Sequence, residues 1–156
     1  MRKILILIST AAAIVLSSCQ KDVIISNPTI DESVVINVPQ SSWTYLDQGS
    51  NCYFYATVDM PEITEYAFDM GVIKTYRAFN YSSKDAYQIE LPYVLPHEYP
   101  IDGREGTDWL FYTETIECEI AIGHITFIYR VSDFDYELDE TFVPEAMTFR
   151  CVVMYN

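Results

Sequence analysis

Apolar residues recur at every second position in several stretches of this chain, the spacing that lines one face of a β-strand. Val34, Ile36 and Val38 alternate within residues 33–38, and Pro39 closes the run. Cys52, Phe54, Ala56 and Val58 share one face of a strand over 52–59, with Tyr53, Tyr55 and Thr57 on the other. Ile116, Cys118, Ile120 and Ile122 alternate with Glu117, Glu119 and Ala121, giving a dry face and a wet one. Residues 125–131 follow as a further strand, after Gly123, which predicts a bulge or a turn. Phe149, Cys151, Val153 and Tyr155 share a phase in a last strand over 147–155. Residues 43–46, 72–79, 87–91 and 109–115 complete the set, although 72–79 has apolar residues in both phases.

One segment breaks the period of two. Thr64 has the chemistry of a helix N-cap, and Glu65 sits where the helix dipole favours an acid. Ile63 and Phe68 have the spacing of a hydrophobic staple. Gly71 suits a left-handed C-terminal cap. These signals predict one short helix near 64–71. A second irregular stretch covers 91–106. Pro92, Pro96 and Pro100 lack the donor a central strand needs, and Asp102, Gly103 and Gly106 continue it, so a long loop is expected. Short strands separated by turn signals, with one helix, predict a mainly β fold: a single antiparallel β-sandwich of the immunoglobulin or jelly-roll kind.

The N-terminus is patterned differently. Met1-Arg2-Lys3 is basic, and residues 4–16 are almost wholly apolar. The run is shorter than the roughly 20 residues of a spanning helix. It has the form of a signal peptide. Its end, Leu16-Ser17-Ser18-Cys19, resembles a bacterial lipobox. That resemblance implies cleavage before Cys19, a diacylglyceryl group on the Cys19 thiol and an N-acyl chain such as palmitate. Two or three chains at about 0.8 kcal/mol per buried methylene make a permanent anchor. Lys21-Asp22 resembles the lysine-acid signal of surface lipoproteins of Bacteroidota, and no aspartate directly follows Cys19 to signal inner-membrane retention. The expected organisation is a signal peptide over 1–18, a tether over 19–32 and a β-sandwich domain over 33–156. The expected location is the outer membrane, facing the periplasm or the surface.

Composition sharpens this picture. The chain carries 23 acidic and 9 basic residues. Loss of residues 1–18 moves the formal charge from −14 to −16, because Arg2 and Lys3 leave and no acid does. Such a charge repels nucleic acid and anionic head groups, so no nucleic-acid partner is expected. Thirteen Tyr, 8 Phe and 2 Trp favour strands and a packed core. Cys52, Cys118 and Cys151 fall in step with apolar neighbours two residues away, which reads as buried free thiols. One disulfide among them is the alternative.

Candidate chemistry is thin. His97 and His124 are the only histidines, and no G-x-S-x-G motif accompanies them. His97 in the proline-rich stretch reads as a solvated loop residue, and His124 as a strand-face residue. Asp133, Asp135, Glu137 and Asp139 alternate as calcium ligands can. Leu138 stands where an EF-hand loop needs glycine, so the stretch reads as a solvated acidic loop. No cofactor motif, metal set or catalytic residue is identified. Trp43, Tyr45, Tyr53, Tyr55, Tyr93, Tyr99, Trp109 and Tyr112 could stack on sugar rings, or simply fill and rim strand faces.

Several short segments are similar to a group of uncharacterised exported β-rich proteins of Bacteroidota. They are Tyr55-Ala56-Thr57-Val58, Pro61-Glu62-Ile63-Thr64, Met70-Gly71-Val72, Leu91-Pro92-Tyr93, Gly123-His124-Ile125-Thr126 and Phe149-Arg150-Cys151-Val152-Val153. The likeness implies no biochemical activity. The expectation is therefore a membrane-anchored, non-enzymatic domain for binding, adhesion or envelope structure. Its partners are the membrane, through Cys19, and a glycan or protein ligand. The alternative is a carbohydrate-binding accessory module.

Overall fold

The computed structural model describes residues 29–47, 52–100, 109–132 and 143–155. The expected signal peptide, Cys19 and most of the expected tether lie outside these residues. So do 101–108 and the acidic run 133–140.

Two antiparallel sheets face each other. The first has the order β1 (Thr29–Val38), β9 (Met147–Tyr155), β4 (Val72–Phe79), β5 (Tyr87–Glu90). The second has the order β2 (Thr44–Leu46), β3 (Tyr53–Asp59), β8 (His124–Ser132), β7 (Trp109–Ala121), β6 (Tyr93–Pro100). The chain crosses between the layers after β1, β3, β5 and β8. Burial explains the strand faces. Phe54 and Ala56 of β3, Ile125, Phe127 and Tyr129 of β8, and Phe149, Cys151 and Val153 of β9 are all buried. Phe127 and Phe149 stack across the layers with ring centroids 3.9 Å apart. Each such ring removed from water contributes up to about 3 kcal/mol.

The helix, α1 (Glu65–Met70), bridges β3 and β4 at one end of the sandwich. Thr64 caps it as expected, its Oγ1 accepting from the Ala67 amide at 3.1 Å. Two expectations fail here. Phe68 is 45% exposed while Ile63 is buried, so Ala67, not Phe68, fills the inward position. Gly71 is extended, at φ −93°, rather than left-handed. Glycine is needed there for space: a Cβ would stand 2.5 Å from the Ala67 carbonyl oxygen and 2.9 Å from that of Met154. The β7–β8 turn seals the same end. Met60 donates to the Gly123 carbonyl at 2.7 Å, and Gly123 donates to that of Ile63 at 2.9 Å. Gly123 makes a turn, with φ +81°.

Other boundaries shift for physical reasons. β1 starts at Thr29 rather than 33, with a register irregularity between Ile30 and Glu32. An edge strand tolerates acids because one side of it stays wet. Residues 109–121 form one long strand rather than two. Residues 93–100, expected as loop, form β6. It is an edge strand, where a missing proline donor costs no ladder bond.

Candidate functional site

Opposite the helix end, the inward faces of β4, β6, β7 and β8 change from apolar to polar. Register explains which side chains meet. Tyr93 pairs with Ile116, and His97 with Tyr112. Side chains two apart share a face. Tyr93, His97, Tyr112 and Glu114 therefore lie on the face that buries Ile116. Arg77 pairs with Phe149 on the facing sheet and points the same way into the interlayer.

The guanidinium of Arg77 lies 5.1 Å from the Phe79 ring centre and 5.7 Å from that of Phe149. Its Nε and Nη1 are buried and have no acceptor among the described residues. Burial lowers the Arg77 pKa, and Glu114, Tyr93, Glu145 and Tyr129 act electrostatically in the opposite sense. Ring contacts of this kind contribute about 2 kcal/mol or more each when desolvated. An unaccepted buried donor costs about 1–3 kcal/mol. The rings attract the cation but accept no hydrogen bond from Nε or Nη1.

Glu114 is the hub on the other sheet. Its Oε2 lies 3.1 Å from His97 Nε2. It also accepts from the Tyr129 hydroxyl, whose pKa is raised chiefly by burial and further by Glu114. His97 stacks on Tyr112, centroids 4.6 Å apart and planes 11° from parallel. His97 is thus a strand residue held by a carboxylate and a ring, not a solvated loop residue.

An aromatic rim completes the surface. Phe79 stacks on Tyr87 at 4.7 Å and meets the edge of Tyr93 at 5.6 Å. Tyr87 is 52% exposed. Burial raises the Tyr93 pKa, with Glu114 and Tyr87 adding to the rise. A half-open ring beside a cation, a carboxylate and phenol hydroxyls can stack on one ligand face and hydrogen-bond to its edge.

The aromatic residues singled out in the sequence disperse. Tyr93 and Tyr112 join this surface. Trp43 is buried against Tyr129, centroids 6.4 Å apart, and its indole donates to the Glu145 carbonyl at 3.3 Å. Tyr45 packs on Phe54. Tyr53 and Tyr55 contact each other on the outer face of the second sheet, where Arg130 covers Tyr53 at 4.3 Å and donates to Glu117 at 2.7 Å. The side chains of Tyr99 and Trp109 lie outside the described residues. Arg77, Phe79, Tyr87 and Glu114 were missed; their signal in sequence was an arginine between apolar neighbours in a strand whose phase was ambiguous. His124 begins β8 at an exposed position. Among the described residues, no group of three or more His, Cys, Asp or Glu could hold a metal ion.

Cys52, Cys118 and Cys151 form no disulfide with one another. Cys151 is buried, and burial pushes its pKa up to about 12. Cys118 Sγ lies 2.9 Å from Thr75 Oγ1 across the interlayer; burial raises its pKa while that contact lowers it. Cys52 is only half-buried and bonds to Asp47, so the core reading fits it least.

No family model, curated protein or solved structure matches this chain.

Proposed function

We propose that this chain is an exported lipoprotein whose β-sandwich is a non-enzymatic binding domain, serving adhesion or envelope structure. Lipid on Cys19 holds it at the outer membrane. The Leu16-Ser17-Ser18-Cys19 motif supports the anchor. The observation that carries the binding reading is Arg77, whose Nε and Nη1 lack an acceptor among the described residues at the end where the interlayer becomes polar. A buried donor without an acceptor is a place where a water, an ion or a ligand atom can bind.

A second, narrower reading is a carbohydrate-binding module. The Phe79–Tyr87 stack favours it, because Tyr87 is half-exposed beside groups that can bond to sugar hydroxyls. The test is an array of glycans and envelope proteins probed with the Cys19→Ala chain, alongside the same chain carrying Tyr87→Ala or Arg77→Met. Capture of one ligand class, lost in both variants, is expected. Capture that neither variant weakens would move the site elsewhere. No capture from either class would remove the binding reading and leave a structural role.

A further inference from the structure

On the β5 side the sandwich is open. Tyr87 pairs with Phe79, and Ile89 with Arg77, so both point toward the interlayer. Yet Tyr87 is 52% exposed and Ile89 37%. Across from them, Leu95 pairs with Glu114 on the inward face of β6 and is 36% exposed. Strand direction explains why these inward side chains stay wet. β4 runs away from the helix end, and so does β6, because it pairs antiparallel with the β7 that returns to that end. β4 stops at Phe79, whose ring meets that of Tyr93, the first residue of β6, at 5.6 Å. The rest of β6, with the part of β7 it pairs, therefore overhangs the first sheet. β5 is four residues long and exposed throughout, so it leaves the overhang uncovered.

The opening presents two kinds of surface. Phe79 covers one face of the Tyr87 ring, with planes 8° from parallel, and the exposed half of Tyr87 offers the other face for stacking. Ile89 and Leu95 supply aliphatic walls. Polar groups lie behind them. Arg77 Nε and Nη1 have no acceptor among the described residues. Glu114 Oε2 is held 3.1 Å from His97 Nε2. A sugar ring has the matching chemistry, with C–H faces that pack on rings and hydroxyls that both donate and accept at its rim.

Two observations narrow the ligand further. A peptide strand would add to the free edge of β6, but Pro96 and Pro100 supply no backbone donor there. An acidic ligand would meet a cation that is already opposed, since Glu114 and Glu145 both act electrostatically on Arg77. It would also approach a chain with 23 acidic and 9 basic residues, whose field repels anions. An uncharged ligand with hydroxyl groups meets neither obstacle. We propose that the opening between β5 and β6 holds an uncharged saccharide, one ring stacked on Tyr87 between Ile89 and Leu95, with hydroxyls turned toward Arg77 and Glu114. This inference deepens the carbohydrate reading and rests on it.

The test is electrophoresis of the Cys19→Ala chain through native gels that each contain one polysaccharide: neutral xylan, mannan or β-glucan, and acidic polygalacturonate or alginate. Retardation by a neutral polysaccharide is expected. Tyr87→Ala should weaken it about tenfold, the loss of one stacked ring. Leu95→Trp, which narrows the opening from the other sheet, should weaken it as well. Phe68→Ala, at the helix end, should leave it unchanged, and so should added salt, which screens charges. Thermal unfolding confirms that each variant is folded. Retardation by the acidic gels alone, or retardation that salt abolishes, would overturn the uncharged ligand and leave the carbohydrate reading standing. Neutral retardation that folded Tyr87→Ala and Leu95→Trp both retain in full would overturn the β5–β6 opening as the site. No retardation in any gel would overturn this inference and the carbohydrate reading together.

Discussion

Phe127 and Phe149 stand face to face across the two sheets, 3.9 Å between ring centroids and 13° from parallel. Neither ring is exposed. They link layers that share no ladder hydrogen bond among the described residues. Phe149→Ala should cost about 3–5 kcal/mol, since it removes the ring and leaves a void that β-strands cannot collapse to fill. Urea unfolding followed by tyrosine fluorescence checks this. A loss below about 1 kcal/mol would show that the layers are held together elsewhere.

Arg77 offers a test in which stability and binding move apart. Its guanidinium leaves Nε and Nη1 without acceptors among the described residues. Arg77→Met keeps most of the volume and removes the unaccepted donors. The free protein should be as stable as the wild type or more so. Ligand capture by the same variant should fall. A large drop in stability would mean that the ring contacts at Phe79 and Phe149 outweigh the orphan donors.

The helix tests local rules. Thr64→Ala removes the acceptor for the Ala67 amide and should cost about 1 kcal/mol, while Thr64→Ser should cost little. Gly71→Ala should cost more than the cap. Its Cβ would meet two carbonyl oxygens of rigid backbone. Thermal unfolding of the three variants ranks them. If Gly71→Ala matches the wild type, the close approach of α1 to β9 is looser than 2.9 Å.

The thiols give a pH dependence with a definite sign. Burial holds the Cys151 pKa near 12, above its ordinary value of 9.0. The folded state therefore keeps the proton where the unfolded chain has lost it. The contribution is intact below about pH 9 and is lost as pH rises toward 12. Cys151→Ala should flatten that alkaline decline in a stability–pH series. A thiol reagent at about pH 8 should leave Cys151 unmodified until the chain unfolds. Rapid modification of folded protein at Cys151 would contradict its burial.

Much of the fold was legible because the strands alternate. Phe54 and Ala56, Ile125 and Phe127, and Phe149 and Cys151 face the core where the period of two places them. Thr64 was legible because a cap is a local device. The β6 edge was not, because three prolines mark a broken strand unless the strand has a free side. Gly71 was misread because its constraint is space beside the carbonyls of Ala67 and of Met154, the latter distant in sequence, and not a left-handed backbone. The candidate surface was harder still. Arg77, Glu114, Tyr87 and His97 come from four strands, and only the pairing of those strands brings them together.

Detergent phase partitioning of the wild type and Cys19→Ala, with the mass of the Cys19 peptide, tests the central claim most directly. Wild-type protein should enter the detergent phase with an acylated N-terminal cysteine, and Cys19→Ala should stay in the aqueous phase. If both remain aqueous, or if the wild-type Cys19 is a free thiol, the chain is not a lipid-anchored protein.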